Sequence, residues 1–209
     1  FKDIKPILVH VHTGNILHLR KKAVKSLADV KGLKIRTPSR TGSWMLSSWG
    51  AEPVGMPVPT LPQALSKGIV DGALIPFEVA IPLKLAELAD NSVDLGNKKR
   101  FGTLVFIFGM NKKSYDSLPA DLKKVIDDNS GIAIAGSVGE AWDSIEPIGI
   151  KKTLDKGKKV YDLSAEESAK FDELHKGVTT KWIAEVKAKG INGEELVAAA
   201  KAAIAKHSK

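Results

Sequence analysis

Leu33-Lys34-Ile35-Arg36-Thr37-Pro38-Ser39 runs from a short apolar strand (33–36) through a proline turn into a helix. That helix passes Trp44 and Leu46 to Trp49 and stops at Gly50, a residue that tolerates the left-handed backbone helix ends need. Upstream, residues 7–11 are apolar and β-branched, a strand broken at Gly14-Asn15, and Ser26 is placed to cap a short helix that Gly32 ends. Downstream, 54–58 is extended. Thr60-Leu61-Pro62-Gln63 has the pattern of a capping box and opens a helix ended by Gly68. Residues 69–75 are extended with a break at Asp71-Gly72, and 76–88 reads as one helix. Strand and helix alternate, which predicts βαβ units around a mainly parallel sheet and an α/β fold. After a charged loop over 98–100, residues 101–110 form the longest expected strand, apolar enough for burial on both faces.

Beyond Asn111, residues 119–149 read as helical, with a kink or a close helix contact near Gly131, Gly136 and Gly139. A strand follows at 159–163. Ser164-Ala165-Glu166-Glu167 is a second capping-box pattern opening a helix to 189, a turn covers 190–193, and an alanine-rich helix closes the chain.

The 209 residues carry a net charge of +8, with 43% hydrophobic and 27% charged residues, an ordinary balance for a soluble domain. The lysines are scattered and aromatics make up 6%, so no basic stripe with stacking rings points to nucleic acid. No apolar run approaches the roughly 18 residues of a bilayer span, so no direct membrane insertion is expected. The absence of cysteine excludes disulfides, thiolate zinc sites and a cysteine nucleophile. Phe1-Lys2-Asp3-Ile4-Lys5-Pro6 is not a signal peptide and looks like the middle of a chain.

In an open α/β sheet, ligands bind beyond the carboxyl ends of the strands. Arg36 falls there, just before a helix N-terminus, where guanidinium and free N–H groups both favour an anion. Pattern alone divides it evenly between a carboxylate anchor and a structural ion pair. A second strand-to-helix turn, residues 71–78, faces the same edge with mostly apolar side chains. His10 and His12 share a strand face. A metal would need a third ligand that the sequence does not supply, and a hydrogen bond from His12 near the crevice is the favoured reading. No G-x-S-x-G, P-loop, G-x-G-x-x-G or H-E-x-x-H motif is present, so neither enzyme nor cofactor chemistry is indicated.

Leu27-Ala28-Asp29-Val30-Lys31-Gly32-Leu33-Lys34-Ile35-Arg36-Thr37-Pro38 resembles the solute-binding proteins of TRAP transporters, the DctP family. Gly50-Ala51-Glu52-Pro53-Val54-Gly55-Met56-Pro57 and Ala64-Leu65-Ser66-Lys67-Gly68-Ile69-Val70-Asp71-Gly72 resemble it too, as do Asn111-Lys112 and the block from Leu118-Pro119-Ala120 through Val125-Ile126, in the family's order. The resemblance implies a two-lobed periplasmic binding protein-like fold of type II, with a cleft at a hinge. It also implies a small organic-acid ligand delivered to TRAP membrane subunits, and a signal peptide in the precursor. Arg36 matches the carboxylate-clamping arginine of the K-[IL]-R-x-P motif, and Val58 and Ile75 match cleft-facing positions. His12, Ser39, Pro76, Phe77 and Phe101 complete the expected ligand wall.

Two departures narrow the ligand. Many members carry asparagine at the position of Ile75, and dicarboxylate and sialic-acid binders carry a second arginine near Ile16. One arginine in an apolar wall suits a monocarboxylate with an aromatic or branched body, because a second carboxylate would be buried unpaired. Members run to roughly 300 residues, with a first lobe of about a hundred, a common domain size. Residues 14–104 and 146–209 are therefore expected to form the second lobe, and 1–13 and 105–145 what remains of a mostly missing first lobe and the inter-lobe connections. An effector-binding domain of a transcription regulator and an enzyme on a similar fold are the alternatives.

Overall fold

The computed structural model describes residues 1–96 and 99–207. Its elements, in chain order, are β1 (Ile4–Val11), β2 (Ile16–Leu19), α1 (Leu27–Val30), β3 (Lys34–Thr37), α2 (Arg40–Ser48), β4 (Glu52–Gly55), α3 (Leu61–Ser66), β5 (Gly72–Ile75), α4 (Phe77–Ala80), α5 (Leu85–Leu88), β6 (Asn91–Asp94), β7 (Val105–Asn111), α6 (Lys112–Asp116), α7 (Ala120–Asp128), α8 (Ile132–Asp155), β8 (Lys159–Asp162), α9 (Ala165–Lys187) and α10 (Gly193–His207). Six strands form one sheet in the order β4-β3-β5-β2-β6-β8, and β1 pairs with β7 in a second. In the larger sheet only β2 runs against its neighbours, so β3, β4, β5, β6 and β8 point one way, as the alternating pattern predicts.

Two apolar clusters cover the two faces of this sheet. Ile35, Leu74, Leu17 and Val93 face Leu46, Trp49, Phe101 and Phe171. Ala73, Ile75 and Val54 face Leu61, Leu65 and Leu85. Alternation along each strand assigns the faces, and Arg36, next to Ile35, joins the second.

Several sequence expectations change. The strand expected over 101–110 begins only at Val105 and is shorter than β1. It is exposed rather than buried on both faces, with Phe108 61% and Val105 68% accessible, because among the described residues it pairs only with β1. The helix expected over 76–88 splits into α4 and α5. Pro82 supplies no N–H for continued helix, and Lys84 turns left-handed at φ 53°. Val58 begins a single 3-10 turn (Val58–Thr60) instead of ending an extended run. Thr60 already has helical backbone and its hydroxyl donates to the Pro57 carbonyl (2.8 Å), so the first capping box does not form. At the second, Ser164 Oγ accepts from the Glu167 N–H (3.2 Å), but the Glu167 carboxylate accepts from the Leu27 N–H (2.8 Å) instead of closing the box. The 119–149 helix breaks at Gly131 (φ 88°), and α8 then runs on to Asp155. Gly136 and Gly139 make no close contact. Gly149 does, since a Cβ there would meet the Phe77 carbonyl oxygen at 2.7 Å. Lys98, part of the expected charged loop, lies outside the described residues.

His18 of β2 is buried between the sheet and α4, its Nδ1 2.8 Å from Ser92 Oγ and its ring edge-on to Phe77. Burial pulls its pKa down to about 4. The unfolded imidazole takes up a proton near pH 6.5, which the folded one refuses until about 4. The unfolded state therefore binds more protons in that window, and stability falls as pH drops through it. The full difference is about 3 kcal/mol. Melting curves of the wild type should shift downward between about pH 7 and about pH 5, and His18→Asn, which cannot titrate, should melt with a flatter pH dependence.

Candidate functional site

The parallel strands end along one edge, at Thr37, Gly55, Ile75 and Asp94; Ile75 and Val58 pack on one face of the sheet and Phe101 on the other. Arg36 sits one residue from the end of β3 and is only 3% exposed. Its Nε and Nη2 donate to the Met56 carbonyl (both 3.2 Å) and its Nη1 to the Leu74 carbonyl (3.2 Å). These carbonyls belong to the chain just past β4 and to β5, so the flanking strands aim the guanidinium. Among the described residues no carboxylate pairs with it, which removes the structural ion pair. Burial lowers its pKa, yet an arginine stays charged. A guanidinium has five N–H donors. Three make these bonds, which leaves two.

The neighbouring wall is apolar. Ile75 (2% exposed) pairs across strands with Ile16 (1%), and half-buried Val58 and Met56 pack on the same cluster. Pro76 precedes α4, and Phe77 (2%) lies between His18 and α8. Ser39 is the N-cap of α2, its hydroxyl oxygen accepting from the Gly42 N–H (3.0 Å). A cavity of about 320 Å³ opens beside it, its lining including Pro38, Ser39, Leu74, Phe101, Asn15 and the cation Arg100. Phe101 belongs chiefly to the core, edge-on to Trp49 and Phe171 at 5.2 and 5.8 Å.

His12 lies at the end of β1, 7% exposed, its Nδ1–H donating to the Thr13 carbonyl and its ring tilted against Phe106. His10 stacks between Phe106 and Trp142, and accepts the Trp142 indole N–H on Nδ1 (3.2 Å). Its bond is thus structural. No group of three or more His, Cys, Asp or Glu side chains among the described residues could hold a metal ion, and no described helix is long and apolar enough to cross a membrane.

Sequence reasoning passed over Glu78. Its carboxylate is buried 3.7 Å from His12 Nδ1, accepts from the Thr13 N–H (3.2 Å), and also accepts from the Thr13 hydroxyl. The available signal was an acidic residue inside the apolar stretch 73–80, where a charge needs a partner.

The chain matches the DctP family, described as bacterial extracellular solute-binding protein, family 7, over residues 2–185. It belongs to that family. A TRAP solute-binding protein from a marine metagenome, specific for aromatic acid ligands and solved with metahydroxyphenylacetate, is 38% identical with a TM-score of 0.96 over 100% of the chain. A TRAP solute-binding protein from Rhodoferax ferrireducens T118, solved with copurified benzoate, is 38% identical with a TM-score of 0.95 over 99%. The outer membrane transporter protein TsaT of Comamonas testosteroni is 24% identical over 200 residues, 92% of the chain. The chain spans 65% of the length of each of the two solved proteins and 56% of TsaT. DctP membership gives the chain the α/β fold of a TRAP periplasmic binding protein and a place in the periplasm, and the family is one of solute-binding proteins.

Proposed function

We propose that this DctP chain is the larger part of a TRAP receptor that captures an aromatic monocarboxylate and hands it to the membrane subunits of its transporter. The observation that carries the reading is Arg36: a buried cation, aimed by two backbone carbonyls, with no acidic partner among the described residues and two donors to spare. A carboxylate is its natural complement, since two parallel N–H···O bonds fix position as well as charge. Ile75, Val58 and Met56 supply an apolar wall for a ring, and Ile16, paired across strands with Ile75, offers no charge to a second carboxylate. The aromatic acids held by the two solved proteins at 38% identity support the same class. In this reading residues 14–104 and 146–209 form one lobe. Residues 1–13 and 105–145 belong to the other and to the connections, and capture proceeds by hinge closure. His12, Ser39, Pro76, Phe77 and Phe101 frame the cleft around Arg36.

Calorimetric titration of the full-length protein carrying this chain tests it. Benzoate or a hydroxybenzoate should bind about a hundredfold more tightly than succinate, whose second carboxylate would lose its water without gaining a partner. Equal or tighter binding of succinate would refute the monocarboxylate reading.

A further inference from the structure

Three connections join the two sheets: the segment from β1 to β2, the segment from β6 to β7, and helix α8, which packs on β1, α4 and β8. They meet at a cluster of charged side chains. Arg100, in the second connection, pairs through Nη1 with Asp94, the last residue of β6, and through Nη2 with Glu146 of α8 (3.0 Å). Its stem lies directly over Gly14, in the first connection, where a Cβ would collide with Arg100 Cβ and Cγ. Beside that crossing the Asn15 N–H donates to the Gly102 carbonyl (2.7 Å) and the Phe101 N–H to the Asn15 carbonyl (3.0 Å). Glu78, on α4, ties Thr13 of the first connection to the larger sheet.

The charges are unbalanced. Asp94 and Glu146 share one guanidinium, with Glu78 and Asp143 also acting on Glu146 and His12 standing 3.7 Å from Glu78. Burial pushes the Glu146 carboxyl up, the Arg100 charge draws it back down, and Glu78 and Asp143 push it up again. Arg100 is thus what lets these carboxylates stay together in a poorly solvated place.

We propose that Arg100 is a positioning residue for ligand capture: bridging Asp94 to Glu146 across Gly14, it holds the inter-sheet connections in the arrangement from which the cleft closes. The proposal rests on the reading of the protein as a hinge-closing carboxylate receptor. Without Arg100 the carboxylates repel and α8 moves off the end of β6. Affinity then falls with the fraction of molecules able to close.

The test uses the full-length protein, benzoate titration, and the distance between a pair of spin labels placed across the cleft. Arg100→Gln should weaken benzoate about tenfold and lengthen the label distance at saturation. The double variant Arg100→Gln/Glu146→Gln, which removes the repulsion along with the clasp, should recover most of the affinity. Arg100→Gln should also regain affinity as the pH is lowered, because burial and the neighbouring carboxylates raise the Glu146 carboxyl and it takes up a proton in place of the lost cation, while the wild type does not. Unchanged affinity and distance in Arg100→Gln, or a double variant as weak as the single, would overturn the proposal. Arg100→Lys decides if Arg100→Gln does not fold: it keeps the charge but not the two-sided reach, so loss in the same direction supports the clasp and wild-type affinity overturns it. A wild type that binds no aromatic acid would count against the receptor reading alone. The label distance of unliganded Arg100→Gln against wild type would then still test the clasp.

Discussion

Arg36→Ala abolishes measurable aromatic-acid binding in a calorimetric titration of the full-length protein. Truncating one partner of a buried, hydrogen-bonded charge pair costs about 2–5 kcal/mol, and here the stranded partner is the ligand's own carboxylate. The apolar wall of Ile75 and Val58 gives that carboxylate no substitute donor. Arg36→Lys keeps the charge but loses the fork, so it binds more weakly than wild type and more tightly than alanine. The alanine variant also loses stability, because a 3%-exposed side chain and its bonds to the Met56 and Leu74 carbonyls are removed, so binding is read at a temperature well below its melting point. An alanine variant that binds like wild type would show that Arg36 is not the anchor.

Phe101→Ala acts chiefly on stability, losing about 3–5 kcal/mol through the cavity it leaves. Phe101 is 1% exposed and fills the junction of Trp49 and Phe171, whose rings meet it edge-on. Aromatic contacts of this kind add to the loss of buried area. Chemical denaturation measures the effect. Phe101→Leu should recover roughly half of it while binding benzoate normally, because the residue supports the cleft floor more than it touches the ligand. A large change in affinity with unchanged stability would make Phe101 a ligand contact instead.

The residues that announced the fold are those whose reasons are local. Ile35 and Arg36 alternate between the sheet's two faces, Gly50 ends α2 at φ 79°, and the strand–turn–helix at Pro38 lies at the carboxyl edge of the sheet. What the sequence hid depends on distant partners. The apolar run before Asn111 reads as a doubly buried strand, and only its pairing, with β1 alone among the described residues, leaves Phe108 and Val105 exposed. Thr60 matches a capping pattern, but Pro57 claims its hydroxyl. Glu78 and Arg100 look like surface charges in sequence. They become structural only because α4, α8 and the end of β6 converge on them.

The most direct measurement is a crystal structure of the full-length protein with benzoate bound. The Arg36 guanidinium should face the carboxylate with two N···O distances of about 2.7–2.9 Å. The ring should lie against Ile75 and Val58. Benzoate seated elsewhere, or a carboxylate held without Arg36, would contradict the assignment of this residue as the anchor.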